Sequence, residues 1–378
     1  MMDPEDVEEL YLSAIRAPVV LVVFLGLWGV VLLVLQALRI EYSSVIALPG
    51  GTTVVFSRSG EKTTEAPRTT WDQVVLLALG IFILLLGCLN IGWAMHAPPT
   101  LATGTFYLLV GVMLLFSFPT STSRREHAAL FFRSLGQVVC PSTDVHFTDV
   151  LVADALTSLS RVFADAGVVV LLLVQAWGGE CPPWLKYAVC STLASFPYWV
   201  RVRQCATQYA SEVDGRRRRL HMVNLGKYLS SFPLVWMSGL DEFVHSQREM
   251  VVLGRAVVAA SLVNSLYSFL WDVKMDWGLG QAGAKRWGLR NTLLINHEAP
   301  WPYYTAVWVD FILRMAWLLK LFEDYLTFTD LALMLQLVEV CRRSMWSVFR
   351  LEWECIQCTG TKADKLLHLD KGDDALRV

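Results

Sequence analysis

Nine stretches of mostly apolar residues run along the chain, at 18–38, 73–95, 99–118, 149–175, 184–205, 222–240, 250–273, 302–321 and 329–350. An α-helix needs roughly 20 such residues to cross a bilayer, so each stretch predicts a membrane span. The fifth is poorest in apolar residues and contains Pro197; the sixth contains Pro233. Both prolines are tolerable, because neighbouring helices can satisfy the carbonyls they free. Between the spans lie a polar loop (39–72), a basic amphipathic stretch (119–148), the run Arg216 to Arg219, read as a short loop, and a Gly-rich loop (278–291). The charged tail, 359–378, predicts disorder.

Lys and Arg between spans set an orientation. With the amino terminus outside, the inner segments 39–72, 119–148, 206–221, 274–301 and 351–378 hold 19 Lys and Arg, whereas the outer segments hold Arg16 and Arg248 alone. That asymmetry supports nine spans with a lumenal amino end and a cytosolic carboxyl end. Skipping any single span would invert every later loop.

Composition agrees: 54% of the 378 residues are hydrophobic and 17% charged, with a mean hydropathy of +0.45. Soluble domains sit nearer one-quarter charged, so the expected fold class is an all-α polytopic membrane helix bundle. The formal charge of −2 says little, because charges are segregated along the chain. Nothing points to nucleic acid, and the acidic start MMDPEDVEEL lacks the basic region of a signal peptide. Eight cysteines include one CxxC, Cys355 and Cys358. A structural zinc site needs a second pair, so no metal or cofactor is expected and free or lipidated thiols are the simpler reading.

Ionisable residues inside spans concentrate after residue 149, on helical faces. Asp154, Ser158, Arg161 and Asp165 share a face of span four; Asn224, Lys227, Tyr228 and Ser231 of span six; Ser268, Asp272 and Asp276 of span seven. Tyr303, Asp310, Arg314 and Trp317 line span eight, and Glu339, Arg342, Arg343, Trp346 and Arg350 span nine. Spans one to three carry almost none. The expected organisation is a three-helix scaffold (1–118), an amphipathic connector (119–148), a six-helix core (149–355) whose stripes converge on a cavity or path, and a cytosolic tail (356–378). A self-neutralised network with only a folding role is the alternative. Lys227, Arg314, Arg342 and Arg343 balance Asp154, Asp272, Asp310 and Glu339, and Asp310–Arg314 and Glu339–Arg343 stand at i, i+4. Buried ion pairs stabilise weakly, which favours the path.

Three guanidinium groups and an ammonium suit phosphate or carboxylate oxygens, since guanidinium presents planar paired donors and never loses its charge. Phosphate engages several donors at once, while acids hold the bases and keep affinity low enough for release. Trp317, one turn beyond Arg314, either narrows the path or packs as an ordinary membrane tryptophan.

At these residues the chain resembles the EXS family, named for a yeast sorting protein, the xenotropic retrovirus receptor and a yeast signalling suppressor. The matching blocks are DVLVADALTSL (149–159), YWVRVRQC (198–205), HMVNLGKY (221–228), LWDVKMDWGL (270–279), VDFILRMAW (309–317) and VEVCRRSMWSVFRLEWE (338–354). The resemblance implies export of inorganic phosphate. It places anion-path positions on Asp154, Lys227, Tyr228, Asp272, Arg314, Arg342 and Arg343 and a gating aromatic on Trp317, with Arg201, Asn224 and Glu339 as weaker candidates. Long members carry an amino-terminal SPX domain sensing inositol pyrophosphates; only 17 residues precede the first span here, so that sensing is expected to be absent. Thr207-Gln208 stands where long exporters have a basic pair. The SPX-less layout resembles the branch containing a yeast Golgi protein that retains lumenal endoplasmic-reticulum proteins and recycles glycosyltransferases. It implies return of lumenal phosphate to the cytosol, a Golgi location (or another endomembrane or the plasma membrane), and a homodimer through the scaffold helices.

Other motifs carry less. Gly278-Leu-Gly-Gln-Ala-Gly283 matches GxGxxG but follows a membrane helix, so its glycines serve a turn. Arg216 to Arg219 set topology or meet anionic lipid headgroups. No nucleophile–base pair, HExxH or Walker motif suggests an enzyme. The expected function is phosphate transport or conduction. The competing one is a non-transporting membrane adaptor that sorts glycosyltransferases by their cytosolic tails.

Overall fold

The computed structural model describes residues 4–40, 80–89, 145–176, 178–296, 298–325 and 331–375, with scattered positions within 42–45, 105–110 and 136–140. Most of predicted spans two and three and of the 119–148 connector lies outside the described residues. Among the described residues, regular structure is entirely helical. In chain order the helices are α1 (Pro4–Ala37), α2 (Gly80–Leu89), α3 (Phe147–Ser158), α4 (Ser160–Ala176), α5 (Pro183–Ser211), α6 (Gly215–Leu229), α7 (Ser231–Met237), α8 (Gln247–Trp271), α9 (Trp301–Arg314) and α10 (Leu331–Ala375). By length and apolar composition alone, Ile15–Ala37 and Gln247–Asp276 can each cross a bilayer, and α3 with α4 makes a third if that bent pair is one span. No other helix meets that measure among the described residues.

Predicted span four is two helices, meeting at Leu159 with a 61° bend. Thr157 Oγ1 donates to the Asp154 carbonyl at 2.7 Å, a back-bond of the kind that bends helices. The bend separates the expected stripe: Asp154 stays with α3 while Asp165 leaves with α4. Predicted span six breaks at Ser230, because the ring of Pro233 crowds the carbonyl four residues earlier. Pro197 causes no such break in α5.

Arg216 to Arg219 form the first turn of α6 rather than a loop. Asp214 caps that turn, accepting from the Arg216 amide at 2.9 Å, and its charge offsets four cations at the positive end of the helix dipole. The α-helix of span eight ends at Arg314 and continues as a 3-10 helix, Ala316–Tyr325. The last helix runs to Ala375 where a disordered tail was expected; 351–375 contains no proline and includes the helix-favouring Leu366, Leu367, Lys362 and Lys365.

Beyond Trp271, α8 widens into a π turn, Asp272–Asp276, in which the Trp277 amide donates to the Asp272 carbonyl at 2.9 Å. Such turns recur at functional sites. Here the extra residue carries Asp276 off the expected Ser268–Asp272 face and to 3.7 Å from Arg350. The chain then reverses through Gly278, Gly280 and Gly283, with φ of +62°, +70° and +78°, values that glycine adopts without steric cost.

Helix α1 packs against both α4 and α10. Ala17 and Val20 meet Leu159, Val162 and Val340, and further along Val31 and Leu35 join Trp277, Leu289, Tyr303, Trp346 and Phe349. Arg16, expected in an outer segment, is buried within α1, 3.3 Å from Asp165; Asp165 also accepts from Gln336 Nε2 of α10 at 3.0 Å. The segment of α10 bearing Glu339, Arg342 and Arg343 is therefore held along its length.

Candidate functional site

Five elements bring charge to one place: α3, α6, the junction of α8 with its π turn, and the facing stretches of α9 and α10. The arginines there divide into two kinds.

Arg342 and Arg314 are bound to carboxylates. Arg342 donates through Nε and Nη2 to both oxygens of Glu339, at 2.8 and 2.7 Å, and through Nη1 to Asp310 Oδ1 at 2.9 Å and Asp272 Oδ2 at 3.3 Å. Arg314 closes the same cluster, with Nη2 on Asp272 and Nε 3.3 Å from Asp310 Oδ2. The expected Asp310–Arg314 pair is present. The expected Glu339–Arg343 pair is not, because the Glu339 fork is taken by Arg342 at i, i+3. Two guanidinium groups thus face three carboxylates, all but Glu339 deeply buried.

Arg343 and Lys227 differ. Both are buried, yet no carboxylate lies within 4.0 Å of either among the described residues. Arg343 Nε donates to Ser158 Oγ at 2.7 Å and Nη2 to Thr157 Oγ1 at 3.3 Å, and its guanidinium lies over the Trp346 ring at 4.5 Å. Ser158 in turn donates to Glu339 at 2.6 Å. Lys227 Nζ rests on the rings of Tyr228 and Trp271, at 4.3 and 5.4 Å. Hydroxyls and ring faces offset a buried cation far less than a carboxylate does, so these two groups keep attraction for an anion. The break after Ser158 is what lets Thr157 and Ser158 turn toward Arg343.

Beside them, Tyr228 donates to Asp154 Oδ1 at 2.5 Å, and the same carboxylate lies 2.8 Å from Arg201 Nε. Asp154 therefore orients Arg201 and Tyr228, not the bases of α9 and α10. Arg201 also reaches Gln204 Oε1 and covers the Tyr228 ring at 4.7 Å. Trp317 Nε1 donates to Ser265 Oγ at 3.1 Å, tying the 3-10 helix to α8. Asn224 Oδ1 is buried and accepts no hydrogen bond.

The stripe reading of span eight holds for Asp310 and Arg314 only. Tyr303 instead donates to Glu352 Oε1 at 2.5 Å, in a second knot that sequence reasoning missed. Glu352 pairs with Arg290 at 2.5 Å and accepts from the amides of Leu294 and Ile295 at 2.6 and 3.2 Å. Arg290 also reaches the carbonyls of Trp277 and Thr292. The knot pins the loop after the π turn to α9 and α10. Its members stand far apart in sequence with no common spacing; only the charged Glu352 inside the FRLEWE block hinted at it.

Fold and charge pattern together define the class: an all-helical integral membrane protein with a charged interior. The EXS family profile matches residues 11–356, and the chain belongs to that family. It is 32% identical over 320 residues to a xenotropic and polytropic retrovirus receptor 1 homolog of Danio rerio, covering 78% of this chain and 45% of the relative. To the Xenopus laevis homolog it is 30% identical, covering 76% and 42%; to human solute carrier family 53 member 1, 29%, covering 78% and 45%. The chain spans less than half the length of these curated relatives.

Proposed function

We propose that the protein moves inorganic phosphate across a membrane through the interior between α3, α6, α8, α9 and α10. The observation that carries this is the pair Arg343 and Lys227, two buried cations with no carboxylate within 4.0 Å among the described residues, Arg343 set on the hydroxyls of Thr157 and Ser158 and Lys227 on the ring of Tyr228. Arg314 and Arg342, held by Asp272, Asp310 and Glu339, form the fixed wall of the path, Tyr228 is a donor that can exchange Asp154 for substrate, and Trp317 is the gate. The name of the human relative, a solute carrier, supports transport. Hydroxyls and ring faces around these two cations suit a small anion bound weakly enough to leave.

Phosphate flux into vesicles containing the purified protein tests this. Wild type should pass phosphate, and Arg343→Gln should pass little at equal folded protein; equal flux in both would remove the path. Return of lumenal phosphate from the Golgi, and with it glycosyltransferase recycling, is the cellular role that fits. Its test is rescue of glycosyltransferase retention by wild type but not by Arg343→Gln. Rescue by both would leave the adaptor role standing instead.

A further inference from the structure

The charged core is buried, so an anion needs a way between it and the water on each side. On the side of the bundle where α5 ends and α6 begins, a cavity of about 610 Å³ is lined by His146, Gln208, Ser211, Glu212, Arg217 and His221. From it a line of polar side chains descends one face of α6. Arg217, His221, Asn224 and Tyr228 fall at i, i+4, i+7 and i+11, with Lys227 alongside, which is the repeat of a single helical face. Ten residues at 1.5 Å each set Lys227 about 15 Å below Arg217.

Burial deepens in step. The Arg217 side chain is 74% exposed and 4.0 Å from Asp214; His221 and Asn224 are half-buried, and Lys227 and Tyr228 are buried. Asn224 is midway, with its Oδ1 buried and unpartnered. An amide can turn either end toward a ligand, so this position can donate to a passing oxyanion without holding it by charge. The mouth is more cationic than its lining suggests, since Arg216, Arg218 and Arg219 share the helix turn and all are exposed. Arg218 is stacked over Tyr209 of α5 at 4.4 Å, which fixes the turn against its neighbour.

We propose that this cavity is the mouth of the phosphate path on the side the basic loops assign to the cytosol, and that the anion exchanges between Lys227 and Arg217 along α6 by way of Asn224 and His221, reaching the cytosol there and, in vesicles with this face outward, entering there. The proposal rests on the phosphate reading of the core and adds to it an outer binding station in residues outside the buried cluster. Charge at a mouth concentrates substrate and speeds entry, and it fades as salt screens it. It does not alter the rate once the path is saturated.

The experiment is a titration of phosphate uptake by vesicles of neutral lipid containing wild type, Arg217→Ala, Arg217→Lys, Arg248→Ala or Arg343→Gln. Arg217→Ala should raise the half-saturating phosphate about fivefold at low salt with maximal flux unchanged, and the difference should shrink in high salt. Arg217→Lys should restore most of it, and Arg248→Ala, on the opposite side, should match wild type. Arg343→Gln tests the core separately. If it abolishes flux while the Arg217→Ala curve superposes on wild type, the mouth is refuted and the path survives; if it leaves flux intact, the path itself falls. A phosphate on a lipid headgroup offers the same chemistry. Should the Arg217→Ala defect appear only in vesicles containing anionic lipid, the cavity serves the lipid and the proposal is overturned.

Discussion

Adjacent arginines of one helix turn should respond in opposite ways to the same substitution. Arg342→Gln removes a guanidinium with contacts to Glu339, Asp310 and Asp272 of 2.7, 2.9 and 3.3 Å. Asp272 and Asp310 then share Arg314, and Glu339 keeps only the Ser158 hydroxyl among the described residues. Removing one partner of a buried ion pair costs about 3–5 kcal/mol, because the surviving charge stays buried without compensation. Arg343→Gln removes hydrogen bonds to Ser158 and Thr157, a loss of about 1.5–3 kcal/mol each for a charged donor. It also removes a buried charge with no carboxylate beside it, a desolvation penalty of several kcal/mol in the opposite sense. The two nearly cancel, so Arg343→Gln should lie within about 1 kcal/mol of wild-type stability.

Function should show the reverse selectivity. If Arg343 donates to the passing phosphate, its loss removes about 2–3 kcal/mol of anion stabilisation, or roughly 30- to 150-fold in flux at low phosphate. Thermal unfolding in detergent, followed by flux from vesicles loaded with equal monodisperse protein, separates the two residues. Arg342→Gln should lose folded protein, and Arg343→Gln should lose flux while keeping its unfolding temperature. Equal destabilisation by both would mean that Arg343 is as structurally bound as its neighbour, and the inference from its missing carboxylate would be wrong.

Other perturbations have equally definite outcomes. Glu352→Ala strands Arg290, the Tyr303 hydroxyl and two loop amides, and should cost about 3–5 kcal/mol in thermal unfolding; the double change with Arg290→Met should recover only part, because the amides stay unsatisfied. Gly278→Ala forces φ of +62° on a Cβ that meets the Trp353 indole and should destabilise by about 2 kcal/mol or more; adding Trp353→Ala should relieve the collision and leave the smaller backbone cost. Burial holds the His221 imidazole below its usual 6.5, against the pull of Glu212 and with help from Arg201 and Arg217. The folded state therefore favours the neutral ring, and stability should fall as pH drops through about 6.5 while His221→Gln flattens that slope; parallel slopes in the two proteins would count against it. Arsenate has the shape, charge and proton-donating hydroxyls of phosphate, so it should compete with phosphate flux, whereas sulfate, which carries no proton at neutral pH to donate to a carboxylate such as Asp154, should compete poorly.

The membrane bundle could be read from apolar run length, and the charge-bearing faces of α9 and α10 from helical spacing, because both are local properties of the chain. What was not legible depended on which carboxylate reached which base first. Glu339 stands at i, i+4 to Arg343 and i, i+3 to Arg342, so spacing permits either pairing. The choice is made from outside the helix: the break at Leu159 turns Ser158 and Thr157 toward Arg343, while Asp272 and Asp310 approach Arg342 from α8 and α9. The break was itself unpredicted, since no proline or glycine marks it and its cause is a hydroxyl back-bond that Thr157 makes only in place. The π turn is similar, moving Asp276 to Arg350 by one inserted residue that a strict 3.6 repeat cannot show. Each irregularity sits at the charged interior, and each takes a group out of the pairing that regular helices would impose. Regular helices would have let Glu339 neutralise Arg343 along its own face; the bent ones leave that arginine facing two hydroxyls, which is the condition for a cation to bind an anion and release it again.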